Sequence, residues 1–157
     1  MPPKYLLGLS KVDFAAVVHD QEQIRRHNMQ RGDMEHLNAI IWVDTAQAAL
    51  IGYKDVRPDE FWVKGHIPGR PLLPGVIMIE AGAQLAGFYT KQYMDWAGFV
   101  GFGGVEDCKF RLPVSPGVRM YLLGKKRWER HHRMRSDIQG IVDGQIVFEA
   151  GVIGTQM

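Results

Sequence analysis

The sequence predicts an α+β fold in which an antiparallel β-sheet wraps around one long central helix, within a single domain covering residues 1–157. Three observations carry this. The segment from Pro74 to about Trp96 is apolar or small on every side between Val76 and Phe88, apart from Glu80 and Gln84, which is the pattern of a helix enclosed by protein. Short runs rich in β-branched and aromatic residues lie on both sides of it. No repeat, low-complexity tract or linker divides the chain, whose 157 residues suit one core.

Taken in order, the N-terminal third is the least legible part. Residues 13–36 hold a short apolar piece, DFAAVVHD, and then the polar QEQIRRHNMQRGDMEH, with a helix expected around Gln21 to His27. LNAIIWVD and AALIGYKDV follow as two strands, a hairpin closed by the polar DTAQ. After the helix, FVGFGGVEDCKFRLPV, RMYLLGKKRWER, HHRMRSDIQGIVDG and QIVFEAGVIGT read as four more strands. Ser115-Pro116-Gly117 marks one turn and Asp143-Gly144 a tight hairpin with positive φ.

Hydrophobic residues make up 46% and charged residues 23%, the balance of an ordinary globular protein. A formal charge of +2 is too small to argue for nucleic acid. The single cysteine, Cys108, has no intrachain disulfide partner, and no CxxC or CxxH spacing points to zinc; it is expected as a buried small residue in a reducing, cytoplasmic setting. No signal peptide is read at the N-terminus, and no run of 18 residues lacks a charge, so no membrane-spanning helix is expected.

The chemistry concentrates in GHIPGRPLLPGVIMIEAGAQLAG, Gly65 to Gly87. Pro68, Pro71 and Pro74 fix φ at three points and push the residue before each toward extended conformations, so His66 sits on a braced loop, suited to a general base. Pro74 and Gly75 open the helix, leaving the N–H groups around Gly75 and Val76 free at its positive end, suited to an anion or polarised carbonyl, with Gly75 sparing room for a ligand. Glu80 follows, and Gln84 lies one turn further on the same face. A carboxylate in so apolar a setting is costly when ionised, which favours the protonated form of Glu80, a general acid. Gln84 reads as a hydrogen-bonding neighbour of that site.

This stretch resembles the signature of the hot-dog-fold 3-hydroxyacyl-ACP dehydratases of the FabZ type, in which a GHFPGxPxxPGVLxxEAMAQ-like segment carries a catalytic His and, fourteen residues later, a Glu. His66 and Glu80 match, with Gly69, Pro71, Pro74, Gly75, Ala81 and Gln84. VGFGGVEDCKFRLPVSPG and VDGQIVFEAGV extend the likeness over roughly Phe61 to Ile153. Ile67 stands where the family has Phe, Gly82 where it has Met, and Val118 where Asp is common; residues 13–36 do not show its LPHRYPFLLVD-like opening.

The resemblance implies dehydration of a 3-hydroxyacyl thioester to the trans-2-enoyl thioester in fatty acid or related lipid synthesis, without metal or organic cofactor. It implies that His66 takes the α-proton, that the helix start at Gly75 and Val76 steadies the thioester oxygen, and that Glu80 protonates or orients the departing hydroxyl. It further implies a homodimer in which His from one subunit faces Glu from the other, in some relatives a trimer of dimers, and an acyl carrier protein as partner. The alternatives are a hot-dog thioesterase, against which the His-to-Glu spacing and PGRPLLPG loop speak, and a non-catalytic acyl-binding subunit. KKRWERHHRMR, Lys125 to Arg135, has six Lys or Arg against one Glu. Read as strands it sets Arg127, Glu129, His131, Arg133 and Arg135 on one polar face and Trp128 and Met134 on the other, a solvated sheet face first and a docking surface for an acidic carrier protein second.

Overall fold

The computed structural model describes residues 4–157. Six antiparallel strands form one sheet: β1 (Ala39–Asp44), β2 (Ala49–Val56), β3 (Val100–Phe110), β4 (Val118–Arg130), β5 (Arg133–Val142) and β6 (Gln145–Gln156). Their spatial order is β1-β2-β4-β5-β6-β3, so β1 and β3 are the edges. Helix α1 (Gln21–Arg25) precedes the sheet, and α2 (Gly75–Tyr93) lies between β2 and β3 in sequence.

Local chemistry accounts for these boundaries. Asp20 accepts from the Gln23 N–H while the Gln23 side chain accepts from the Asp20 N–H, a reciprocal capping box that starts α1. Two tight turns link β4 to β5 and β5 to β6. Asp143-Gly144 forms the second with positive φ at both residues, as the sequence predicts, and His131-His132 forms the first in the same left-handed region. The His131-His132 turn corrects the alternation expected for Lys125–Arg135. Trp128 pairs with Arg135 and Glu129 with Met134, so Trp128 and Met134 lie on opposite faces of the hairpin.

Helix α2 packs across the concave face of the sheet. Met78, Ala81, Leu85 and Phe88 meet Ile40, Leu50, Met120, Leu122, Ile138 and Phe148 in one buried cluster. A smaller cluster on the other face, Ile41, Ile51, Leu123, Ile141 and Ile146, is covered by the N-terminal segment through Leu6, Leu7, Leu9 and Val12. The helix is nevertheless enclosed on one side only, contrary to the sequence reading. Val76 is 71% exposed, and Ile79, Glu80, Ala83 and Gly87 are half-buried along the same stripe. The helix ends three residues before the expected Trp96, at Tyr93, and Asp95 beyond it takes a positive φ.

Gly82 has a packing reason. A Cβ there would stand 2.8 Å from Ile138 Cγ2, so the helix reaches the sheet only because this position has no side chain. Gly82→Leu is expected to cost about 1–3 kcal/mol of stability through overpacking, read as a lowered urea midpoint at unchanged slope; an unchanged midpoint would show that Ile138 yields freely.

Candidate active site

The loop before α2 is built turn upon turn. Val63 N–H bonds to Glu60 O at 3.2 Å and His66 N–H to Trp62 O at 2.8 Å, with the Trp62 indole buried. Ile67-Pro68-Gly69-Arg70 closes with Arg70 N–H donating to Ile67 O at 2.9 Å; Pro68 fixes its φ, and Gly69 supplies the φ of +82° that this turn requires. Ile67, β-branched and directly after His66, is held at φ +57° rather than in the extended conformation expected before Pro68, at a cost on the order of 1–2 kcal/mol. Leu73 N–H anchors the end of the loop on Val114 O at 2.7 Å.

His66 is half-buried, with Nδ1 2.7 Å from Leu72 O. A carbonyl can only accept, so in the neutral ring Nδ1 carries the hydrogen and Nε2 presents a lone pair. That is the tautomer a general base needs.

At the head of α2, Ile77 and Met78 both donate to Pro74 O, so the N–H groups of Gly75 and Val76 precede the helical ladder. The clearance that Gly75 was expected to spare for a ligand is occupied: a Cβ there would lie 2.7 Å from the ring of Phe110, at the end of edge strand β3. Phe110 itself is 52% exposed.

Glu80 is half-buried and lines a cleft of about 290 Å³ between α2, residues 27–30 and the β3–β6 end of the sheet, with Phe99, Phe102, Met134 and Ile153 on its apolar wall. His66 does not line this cleft. Gln84 is 4% exposed and fully engaged: Oε1 accepts from His36 N–H at 2.9 Å and Leu37 N–H at 3.1 Å, while Nε2 donates to Met34 O at 2.7 Å and Glu80 Oε1 at 3.0 Å. Grouped from sequence with the substrate-binding residues Gly75 and Val76, it is in the structure the peg that ties residues 34–37 to α2 and orients Glu80.

Sequence reading missed a buried polar cluster beside this peg. Lys54, 2% exposed, donates from Nζ to Glu60 Oε1 at 2.6 Å and to His36 Nδ1 at 3.1 Å. A signal existed: in the two-residue alternation of β2, Lys54 is in phase with the inward Leu50, Gly52 and Val56. Burial would push the Glu60 carboxyl up, but the Lys54 hydrogen bond and the Arg57 N–H hold it below its usual range. Burial and then the Lys54 charge push His36 down to about 4. Among the described residues, the buried His36 Nε2 has no hydrogen-bond partner, and the buried Trp62 indole helps to hold the Glu60 carboxyl down.

Of the remaining expectations, Cys108 is half-buried rather than buried, and burial raises its thiol pKa. The basic Lys125–Arg135 segment is half neutralised: Arg127 pairs with Asp137, Lys126 with Glu129, and Arg135 with Glu106, Asp107 and Asp137, while Lys125, Arg130 and Arg133 form no ion pair among the described residues. No helix among the described residues is long and apolar enough to cross a membrane.

Solved structures share this architecture. The dehydratase heterocomplex ApeI:P from Xenorhabdus doucetiae superposes with a TM-score of 0.71 at 14% identity, over 85% of this chain and 90% of that one. A sigma28-regulated virulence protein from Campylobacter jejuni gives 0.69 at 14% identity, over 93% and 96%. A six-stranded antiparallel sheet around one long helix, with these neighbours, makes this a hot-dog-fold protein.

The family follows from sequence. A FabA-like domain model matches residues 28–151. FabZ 3-hydroxyacyl-acyl-carrier-protein dehydratases are similar to it: that of Herpetosiphon aurantiacus is 34% identical over 66% of this chain and 74% of the relative, and that of Sorangium cellulosum 31% over 78% and 84%. The chain belongs to the FabA-like family, with the FabZ-type dehydratases as its relatives. The family match starts at residue 28, well before the Phe61 from which the sequence motifs are recognisable.

The His36 shift fixes the sign of a pH effect. Its folded pKa of about 4 lies below the unfolded value of 6.5, so between these values the unfolded chain binds the extra proton. This contribution to stability is complete above pH 6.5 and is lost as pH falls toward 4, by up to about 3 kcal/mol. Urea unfolding of the wild type from pH 7 to 4 is expected to show that loss, and His36→Leu a shallower one; parallel slopes would place the lost protons elsewhere.

Proposed function

We propose that His66 of one protomer and Glu80 of its partner form one active site that dehydrates (3R)-3-hydroxyacyl-acyl-carrier-protein to the trans-2-enoyl thioester, in fatty acid or related lipid synthesis. The enzyme is a hydro-lyase, as its FabZ relatives are. The observation that carries the reading is His66 itself: its Nδ1–H is tied to Leu72 O and its Nε2 lone pair is left for the substrate, fourteen residues before the only carboxylate of α2.

In the reaction His66 Nε2 removes the C2 proton, the C2–H electron pair becomes the C2=C3 double bond, and the C3–O bond breaks. Glu80, protonated, gives its proton to the departing hydroxyl, which leaves as water. Gln84 binds Glu80 Oε1 and so leaves Oε2 to carry that proton. The N–H groups of Gly75 and Val76, at the positive end of α2, stabilise charge developing on the thioester oxygen. His66 then returns its proton to the carboxylate.

The dimer is supported by what one chain leaves open. The stripe Val76, Ile79, Glu80, Ala83 of α2 is uncovered, and edge strand β3 exposes Phe102, Val105 and Phe110 beside it. A twofold interface over this face covers both, and it sets each His66 against the partner's Glu80 cleft. Assembly of such dimers into a trimer, with a cytoplasmic location, is the accompanying proposal. The carrier would approach the exposed Lys64 and Arg70, which flank His66 and form no ion pair among the described residues.

Hydration of a trans-2-enoyl thioester, followed by loss of conjugated absorbance, tests the assignment. His66→Ala and Glu80→Gln are each expected to lose about 10²-fold or more in kcat with folding intact; a wild type inert on short and long chains, carried by CoA or ACP, would sink it, and release of free thiol would favour a thioesterase. Mixing the two inactive variants by subunit exchange tests the cross-subunit arrangement. Half the dimers would then be mixed, each with one intact site, restoring about a quarter of wild-type activity, whereas two residues from the same chain would restore none.

A further inference from the structure

We propose that the buried Lys54–Glu60 pair, with His36, is a positioning device that sets the His66 loop and the Glu80 carboxyl from a single point. Lys54 Nζ holds Glu60 at 2.6 Å and His36 Nδ1 at 3.1 Å, and both contacts lie in the interior.

Two arms leave this ammonium group. The first runs through Glu60. Its Oε2 accepts from Arg57 N–H at 2.8 Å, which closes the turn after β2; its backbone carbonyl accepts from Val63 N–H, and the next turn carries His66 N–H onto Trp62 O. Because these turns are consecutive, a displacement of the Glu60 carboxylate is passed to the His66 backbone within six residues. The second arm runs through His36. Its N–H bonds to Gln84 Oε1, and Gln84 Nε2 bonds to Glu80 Oε1. Lys54 is therefore one contact from the residue whose backbone N–H steadies Gln84, and three from the carboxyl that Gln84 orients.

The cluster also carries a sign that it is not there for stability alone. A buried ion pair is commonly replaced by apolar residues at little or no loss of stability. Here the fold additionally leaves His36 Nε2 buried without a partner among the described residues, beside that pair. What the polar arrangement supplies, and a hydrophobic one would not, is direction: hydrogen bonds of fixed geometry to both arms. In the proposed dimer each protomer's two arms serve two different active sites, one through His66 and one through Glu80, so the device sets both.

This inference rests on the dehydratase reading, and its test is built to fail separately. In the paired variant Lys54→Met with Glu60→Gln, both charges vanish together and no buried charge is orphaned. Expected are an unchanged melting temperature, an unchanged KM for a trans-2-enoyl thioester and at least a tenfold loss of kcat, with the His66 ring resonance in NMR shifted or split. Glu60→Asp keeps the charge and shortens the reach by one methylene; it serves should the paired variant not fold, and is expected to show the same split between kcat and KM. Wild-type kcat together with an unaltered His66 resonance in a folded variant would overturn the proposal. An inert wild type would defeat the dehydratase reading instead, and the His66 resonance would still decide the positioning role.

Discussion

Seating α2 in the concave face of the sheet is the constraint on which the rest of the structure depends. Ala81, Leu85 and Phe88 are fully buried against strands β1, β2, β4, β5 and β6, and the helix reaches them because Gly82 presents no side chain to Ile138. Burial of several large side chains at about 1.5–3 kcal/mol each is the main stabilising term available to a chain of this length. Once that face is committed, helical periodicity dictates what faces away: Val76, Ile79, Glu80 and Ala83. The position of the Glu80 carboxylate at the rim of a cleft is thus a consequence of which side of α2 is needed for the core.

The polar groups of the interior follow a second logic. Gln84 sits at the boundary between core and cleft with every side-chain donor and acceptor used. Three of its four bonds replace the ladder that residues 34–37 cannot form for themselves, since they precede β1 and have no neighbouring strand, and the fourth goes to Glu80. The Lys54–Glu60 pair does the same for the irregular chain between β2 and α2, where a long loop without regular structure needs internal pegs. Fixed polar geometry is found where secondary structure runs out, and both catalytic candidates stand next to such places.

How far the sequence could be read tracks how local each interaction is. The central helix, the β1–β2 hairpin and the Asp143-Gly144 turn rest on neighbours in sequence, and they appear where periodicity and turn chemistry put them. His131-His132 was misread as strand because histidines carry no strong turn signal, although both adopt positive φ. The resemblance carried by His66 and Glu80 was legible as a spacing, and the family match over residues 28–151 agrees with it. The Lys54, Glu60 and His36 cluster was not: an inward lysine is visible in the alternation of β2, but its partners lie six residues ahead and eighteen behind, on irregular chain whose path no pattern specifies. Residues 28–36 failed for the same reason, since they are held by Gln84 and the cleft rather than by their own periodicity.

The proposed division of the site between chains places a particular demand on each protomer. His66 lies outside the cleft that Glu80 lines, and no hydrogen bond joins the two side chains among the described residues. Accuracy must come from the scaffold behind each. The strained φ at Ile67, the Leu72 carbonyl on Nδ1 and the turns leading back to Glu60 supply it for the histidine. Gln84, braced by His36 and Leu37, supplies it for the carboxylate. Both supports lead back to Lys54, so in the proposed dimer one buried charge would set the frame from which both halves of the site are measured, and twofold symmetry would repeat that frame.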